Sequence, residues 1–502
     1  MKKLKRWLCL ALVAVTLLST ATVFAGCAQE TDKTPDGSNL GSSLDAETDR
    51  FANVDFNERE FRIYTSTNAA SVGMGNSNFL IEGDPEQVGN MVNDAVIERN
   101  VTVEELLNVK LVFIPCEAGQ MDVATDIQKY TQGGLDEFDI AINDIFGLSS
   151  LVVGGHFRNV LDEECVFDFE QSYWYNDVME DLRLVNNYQY VLAGDFFADV
   201  LRSAHLLLMN KEIYKDYYHT SADEIYDVVS NYEWTFDKLN QIITNVYTDK
   251  NLNNVVDQGD QFGLINGPSW GYFIPFSVCG NPPYITRDEE GIPYFALHEG
   301  DRSNQLATKM GELIANDSTS LNFGDDKLLS AFTNSECLVA CGQRLGSLEN
   351  PILRQMESDA AVLPYPMLFA ADKKYVTSFH DTTEMGFIPT TVRDMAFIST
   401  VLEVLNRETA TLVLPKYYKE SLQVQCVDDE KAAAMIDIIH DNFDNAFILA
   451  YNNALGNFIF DVFFSAAEGK REFSVVYAPR KKAVDKKLSN MISTFKKKNN
   501  IE

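Results

Sequence analysis

The polar and apolar positions of the chain fall into three regimes. Lys2, Lys3, Lys5 and Arg6 precede a mainly apolar run from Trp7 to Phe24 that closes on Ala25, Gly26 and Cys27, the layout of a secretory signal. From Ala28 to about Arg50 the residues are acidic, hydroxylated or small, with almost no large apolar side chain. Such a stretch cannot bury enough surface to fold and predicts a flexible tether. Beyond it the periodicity alternates: a strand at Phe61 to Thr65, a helix near Val92 to Leu107 and a strand at Val109 to Pro115. A helix at about Met121 to Thr131 then ends at Gly133-Gly134, and a strand at Phe138 to Asn143 follows. Strands alternating with helices predict an α/β fold with a mainly parallel sheet. Ligands of such sheets bind at the carboxyl ends of the strands, which here are the polar segments Tyr64 to Asn68 and Asn143-Asp144. From about His156 the pattern is longer and more helical, with aromatic clusters at Tyr173-Trp174-Tyr175 and Trp270-Gly271-Tyr272-Phe273. A second lobe is the simplest reading. The last segment, Arg480 to Glu502, spaces Val484, Leu488, Met491 and Ile492 as an amphipathic helix with many lysines on its solvated face. A site for acidic wall polymers is the alternative reading of those lysines.

The residues before Cys27 resemble the lipobox of bacterial lipoproteins, in which the cysteine becomes the lipidated first residue; Phe24 departs from the usual Leu-Ala-Gly-Cys pattern. An uncleaved anchor is the alternative, because roughly 18 apolar residues are about the minimum that spans a bilayer. Both readings place the rest of the chain outside the cytoplasm, at the outer face of the cell membrane, with membrane contact expected at the N-terminus alone. The net charge is −33, and loss of the four signal cations makes the mature chain −37. That balance argues against nucleic acid and against anionic lipid as partners. With 46% hydrophobic residues, about 450 residues beyond the tether are enough for two substantial cores. Of eight cysteines, Cys9 lies in the signal and Cys27 is the lipid site; Cys116, Cys165, Cys279, Cys337, Cys341 and Cys426 have the spacing of neither a disulfide framework nor a zinc site. Cys337 and Cys341, four apart, suit one helix face as two buried thiols.

Several separated landmarks together resemble the extracellular solute-binding proteins of family 1, in particular their long clostridial-like lipoprotein members. Asn93-Asp94-Ala95-Val96-Ile97-Glu98-Arg99-Asn100 resembles their first helix, and Tyr173-Trp174-Tyr175-Asn176 the aromatic segment after the crossing into lobe two. Leu192-Ala193-Gly194-Asp195 resembles the strand that follows, and Met209-Asn210-Lys211-Glu212-Ile213-Tyr214 the Asn-Lys segment. Glu233-Trp234-Thr235-Phe236 resembles the Trp-Thr helix start, and Leu363-Pro364-Tyr365-Pro366 the strand leading back. The resemblance implies a two-lobed type II periplasmic-binding-protein fold with the ligand between the lobes. By that analogy residues 1–27 are signal and lipobox, 28–55 tether, 56–155 plus 372–412 lobe one, and 156–371 plus 413–502 lobe two. It also implies a monomer that captures a small solute, a mono- or oligosaccharide by family habit, and delivers it to the permease of an ABC importer. No P-loop is present, since Gly73-Met74-Gly75 lacks the lysine, so energy must come from a separate ATPase.

Sugar recognition needs a flat ring for the pyranose face and planar polar groups for the hydroxyls. Trp174, Trp234, Trp270 and Tyr272 are ring candidates; Trp234 opens a helix and reads as core, and Trp270 with Tyr272 follows a strand in lobe two, where a platform belongs. Thr65, Asn68 and Asp144 end strands of lobe one, and His380 and Asp381 follow an expected strand at Tyr375 to Phe379; a buried, satisfied histidine is the competing reading of His380. No cofactor is required. The segment from Asp249 to Asp260 places oxygens where a calcium loop has them: Asp249, Asn251, Asn253, the carbonyl of Val255, Asp257 and Asp260. Asn254 stands where such loops have glycine, and an Asx-rich turn that binds nothing is the alternative. Two other function classes stay open. One is a secreted hydrolase using a carboxylate pair or Ser269, which sits in Gly267-Pro268-Ser269-Trp270-Gly271 with His298, His380 and His440 downstream as bases, although Pro268 restricts the strained turn a nucleophile elbow needs. The other is a surface sensor or adhesin of the same fold.

Overall fold

Strands β1 (Arg59–Ser66), β2 (Val109–Cys116) and β3 (Ile140–Asp144) form the first sheet with β11 (Glu384–Phe387) in the order β11-β3-β1-β2. The computed structural model describes residues 50–66, 78–116, 120–268, 273–423, 430–457 and 459–501. β1 runs parallel to both neighbours, Ile63 opposite Phe113 on one side and Ile140 on the other, and β11 lies antiparallel to β3 with Glu384 opposite Asp144. Local chemistry sets the connections. The Asn90 side chain accepts from the N–H groups of Val92 and Asn93 to open helix α1 (Met91–Leu107), and Asn108, at φ 49°, ends it in the left-handed conformation that asparagine tolerates. Helix α2 (Gln120–Gly133) leads into β3, and α3 (Ile145–Gly154) leaves it. Phe61, Ile63, Val96, Val103, Ile127 and Ile140 bury the core between these layers.

A second, five-stranded sheet has the order β10-β4-β9-β5-β8, from β4 (His205–Asn210), β5 (Phe262–Ile265), β8 (Thr319–Ser320), β9 (Cys337–Arg344) and β10 (Ala360–Leu363). β5 is parallel to β8 and β9, whereas β4 is antiparallel to β9 and β10. Asn210 caps helix α4 (Lys211–Tyr218) and Thr235 caps α5 (Phe236–Ile243). α6 (Arg302–Ile314) packs against α5 and the edge strand β8, and β6 (Ile285–Arg287) and β7 (Pro293–Phe295) form an antiparallel hairpin. Cys337 and Cys341 are buried free thiols, on a strand rather than the helix their spacing suggested. Trp234 is fully buried and its indole N–H donates to the Pro364 carbonyl at 2.8 Å, which makes it core.

The chain crosses between the sheets twice, and the crossings pair with each other. Leu192 exchanges backbone hydrogen bonds with Gly386 at the edge of the first sheet before the chain runs on to β4 in the second. The return from β10 to β11 meets that passage where His205 N–H donates to Ser378 O and His380 N–H to Ser203 O. The expected strand at Tyr375 to Phe379 is therefore only a pair of single bridges, Thr377 to Phe443 and Ala204 to Phe379, because this segment changes partners as it passes between sheets. After β11, α7 (Met395–Glu408) returns to cover α1, followed by α8 (Glu430–His440), α9 (Ile459–Glu468) and the long α10 (Phe473–Lys498). α10 packs on α9 and α6 on the side of the second sheet and on α3 on the side of the first. Its end comes so close to α3 that a Cβ on Gly155, at φ 75°, would stand 2.9 Å from the Lys498 carbonyl oxygen. Among the described residues no single helix is long and apolar enough to cross a membrane.

Candidate functional site

β3 is buried along its whole length, yet it ends on two polar residues. Asn143 is fully buried, and neither the oxygen nor the nitrogen of its amide has a hydrogen-bond partner. Asp144 is equally buried: Oδ1 accepts from the Gly147 N–H at 2.6 Å to cap α3, and Oδ2 has no partner. Burial pushes the Asp144 carboxyl up to about 6 against that cap bond, and the nearby Asp381 and Asp199 push it the same way. A buried polar group left unmet costs about 1–3 kcal/mol, so a fold retains several at one place where something outside the chain can meet them.

The return crossing brings further groups to the same place. His380 Nδ1 lies 2.9 Å from Thr382 Oγ1 and 3.2 Å from Asp381 Oδ1. Burial, helped by Arg344, holds His380 down at about 3, so the ring is neutral. Burial raises the Asp381 carboxyl above its ordinary value. Behind them Ser203 and Thr383 share a short hydroxyl–hydroxyl bond, and His205 Nδ1 meets Ser378 Oγ at 2.9 Å. Asp144, His380 and Asp381 thus form one cluster at the carboxyl end of β3, where the crossings pass. Thr65 is buried near the end of β1, its Cα paired with Ile142 of β3. Asn68, Ser269, Trp270, Tyr272 and Cys27 lie outside the described residues. β5, which precedes Trp270 and Tyr272, ends at Ile265 in the second sheet. Trp174 is no platform: it is buried and its indole donates to Glu403 at 2.9 Å.

Sequence reasoning picked out Asn143-Asp144 as a strand end but missed the orphaned amide, and it missed the charged groups behind the cluster. Asp199 accepts from the Glu384 N–H at 3.0 Å and contacts the fully buried Arg202, which is held by Glu349 through two contacts of 2.8 Å. The three histidines proposed as bases for Ser269 sit in different surroundings. His298 is exposed beside α10, and His380 is neutral and partly buried. Burial works to lower the pKa of His440, but Asp195 and Asp441 outweigh it and hold the ring up at about 9.

The Asx-rich loop is a different kind of polar cluster. Asp249 accepts from the N–H groups of Asn253 and Asn254 at 3.3 and 2.8 Å, and the amides of Asn251 and Asn253 donate to Asp257 at 2.9 and 2.8 Å. Asn253 Oδ1 accepts from the Val255 N–H at 2.6 Å. Asn254 adopts φ 61°, the left-handed turn its position calls for. Asp260 is buried, with Oδ2 taken by Tyr247 at 3.0 Å and by the Asp257 N–H at 3.1 Å and Oδ1 unpartnered. Among the described residues no three His, Cys, Asp or Glu side chains converge on a metal-sized point.

No protein-family model matches the chain, and no curated protein matches it by sequence. Solved structures do match. A cyclo/maltodextrin-binding protein in complex with maltotetraose is 9% identical with a TM-score of 0.53, covering 87% of this chain and 97% of that one. The maltose/maltodextrin-binding domain from Bdellovibrio bacteriovorus bound to maltotriose is 12% identical with a TM-score of 0.50, covering 86% and 100%. An ABC transporter solute-binding protein from Thermotoga lettingae bound to α-D-tagatose is 13% identical with a TM-score of 0.50, covering 86% and 100%. Identities this low speak for the fold alone. The fold is the two-lobed α/β architecture of periplasmic binding proteins.

Proposed function

We propose that the chain is an extracytoplasmic solute-binding lipoprotein of family 1, anchored through Cys27, that captures a sugar between its two lobes and delivers it to the permease of an ABC importer with a separate ATPase. One observation carries the reading: at the carboxyl end of β3, Asn143 and Asp144 Oδ2 are buried without partners, at the place where this class of sheet takes its ligands. An amide that offers a donor and an acceptor beside a carboxylate that only accepts matches adjacent sugar hydroxyls, each of which gives and takes a hydrogen bond. The described neighbours bind maltotetraose, maltotriose and tagatose, which supports the same ligand class here. Trp270 and Tyr272, following β5, supply the ring platform from lobe two, with Thr65, Asn68, His380 and Asp381 completing the lobe-one side. The chain binds and does not catalyse: His440 is charged and engaged with two carboxylates, and Asp144 is fixed as a helix cap. The loop Asp249 to Asp260 takes a weak structural calcium ion that braces lobe two, Asp260 Oδ1 supplying an oxygen the chain leaves unmet.

A thermal-shift screen of the mature chain carrying Cys27→Ser, against sugars and peptides, tests the reading. A ligand at 100 times its Kd adds about 2.7 kcal/mol of stability. A sugar that raises the melting temperature, with no turnover of it, is the expected result. Stabilisation by peptides alone overturns the sugar, and hydrolysis of a glycoside that Asp144→Asn abolishes overturns the binding reading in favour of a hydrolase.

A further inference from the structure

Helix α10 carries charge opposite to that of the molecule. The chain is −33 overall, whereas Phe473–Lys498 holds eight lysines and arginines and one acid, Asp485. Helical spacing sorts these residues. Val484, Leu488, Met491 and Phe495 are buried against the body, while Lys482, Lys486, Ser489, Ser493 and Lys497, at steps of three and four, make one exposed stripe. Arg480 and Lys481 are engaged by Asp461 and Asp485, but among the described residues Lys482, Lys486 and Lys497 form no ion pair.

The stripe is the rim of a recess. Between α10 and the segment after β6 lies a groove of about 530 Å³, lined by the apolar Phe295, Leu488 and Ile492, by Tyr294 and His298, and by the acids Glu299 and Asp485, the latter paired with Lys481. Ser489 and Ser493 belong to both stripe and groove, and Lys496 joins them from inside. The fifteen helical steps from Lys482 to Lys497 span about 22 Å at 1.5 Å each, so three unbalanced cations are spaced along a straight, rigid edge. Lysine is a point charge suited to phosphate, and the serine hydroxyls add donors to phosphate oxygens.

We propose that the exposed stripe along the rim of this groove binds a linear phosphodiester polymer without bases, a polyol phosphate, which lies along α10 with its phosphates on Lys482, Lys486 and Lys497. Charge and shape both select a strand over a membrane. A bilayer is a plane, and would press the acidic remainder of the molecule against like charge, whereas a strand can follow the lysine stripe along α10 and keep its phosphates off Glu299 and Asp485 in the recess. A single-stranded nucleic acid would need a series of aromatic platforms for its bases, and the groove wall offers Tyr294 alone as a half-exposed ring. This site is separate from the solute cleft, so the two stand or fall independently.

The test is fluorescence anisotropy of a labelled short poly(glycerol phosphate) with the mature chain carrying Cys27→Ser, at low and at physiological salt. Binding that weakens with salt is expected, and the triple variant Lys482→Glu, Lys486→Glu, Lys497→Glu should lose on the order of tenfold in affinity. The control triple Lys129→Glu, Lys215→Glu, Lys327→Glu makes the same change in net charge at exposed lysines elsewhere and should lose under about twofold. The corresponding Lys→Gln triple on α10 should lie between wild type and reversal, which keeps the test open should the reversed helix misfold. No binding at low salt, equal losses in the two glutamate triples, or preference for phosphatidylglycerol vesicles or single-stranded DNA over the polymer overturns the proposal.

Discussion

The end of β3 and the loop from Asp249 to Asp260 are both short runs of asparagine and aspartate, and the fold treats them in opposite ways. In the loop the side chains meet one another: Asn251 and Asn253 donate to Asp257, and Asp249 receives two backbone N–H groups. Leu252, at 81% exposure, shows how far into solvent the tip of the loop stands, so water can meet what the tip leaves over; the buried Oδ1 of Asp260, at the end of the loop, is the exception. At β3 the residues are sealed in, and only one oxygen of four polar atoms on Asn143 and Asp144 has a partner. Composition is similar, but desolvation differs: the loop leaves one buried oxygen unmet, on Asp260, whereas the β3 pair leaves three polar atoms buried side by side, a penalty that a ligand can relieve.

The largest expected effect is on the buried side of that contrast. Asp144→Asn keeps a good cap for α3, because asparagine caps as well as aspartate, but replaces the accepting oxygen with an amide nitrogen. A hydrogen bond to a charged group contributes about 1.5–3 kcal/mol, so affinity for the sugar found by screening should fall roughly ten- to a hundredfold in calorimetry, with little change in melting temperature. Unchanged affinity would remove Asp144 from the site.

Acidity should separate the ligand-free and liganded forms. The Asp144 carboxyl is raised to about 6 from an ordinary value of 3.8, so the folded chain takes up its proton first, and its contribution to stability is present below 3.8 and lost as pH rises through 6. Relative to Asp144→Asn, the ligand-free chain should therefore gain stability on acidification across that window. Sugar affinity should move the opposite way, since the protonated carboxyl is the poorer acceptor. Melting curves and titrations at the two ends of the window, on both proteins, check the paired signs; parallel trends would contradict the assignment.

Much of this contrast was beyond reach of the residues alone. Alternating strands and helices through β3 were legible from their apolar positions, and Trp234, at a helix start, read as core; the side-chain caps at Asn210 and Thr235 were not read. The orphaned amide of Asn143 was not legible, since it depends on what β11 and the return crossing place opposite it. Tyr375 to Phe379 read as a strand because it is apolar and β-branched, yet a segment bridging two sheets finds no continuous partner. The spacing of Cys337 and Cys341 fits one face of a helix and also one face of a strand, and only tertiary pairing with β4 and β5 decided between them.

A smaller effect is expected from the ring platform. Trp270→Ala should weaken sugar binding by on the order of 1 kcal/mol beyond the lost area while leaving the melting temperature nearly unchanged. A large loss of melting temperature with intact affinity would make Trp270 a core residue. The smallest effect belongs to the loop, whose groups, Asp260 Oδ1 apart, already meet one another. Calcium at about millimolar concentration should raise the melting temperature slightly against chelator, and Asp249→Asn should abolish the rise. Equal melting temperatures in all conditions would leave the loop as an Asx-rich turn.

The central claim, that unmet polar groups at the end of β3 exist for the solute, is tested most directly by Asn143→Leu. Replacing a buried amide that has no partner by an apolar side chain of similar size removes a penalty of about 1–3 kcal/mol from the ligand-free fold. The account predicts that thermal denaturation of this variant shows an equal or higher melting temperature, with no further rise on adding the sugar that stabilises the parent. A variant that melts lower yet keeps the full sugar response would contradict it, because Asn143 would then serve the fold and not the ligand.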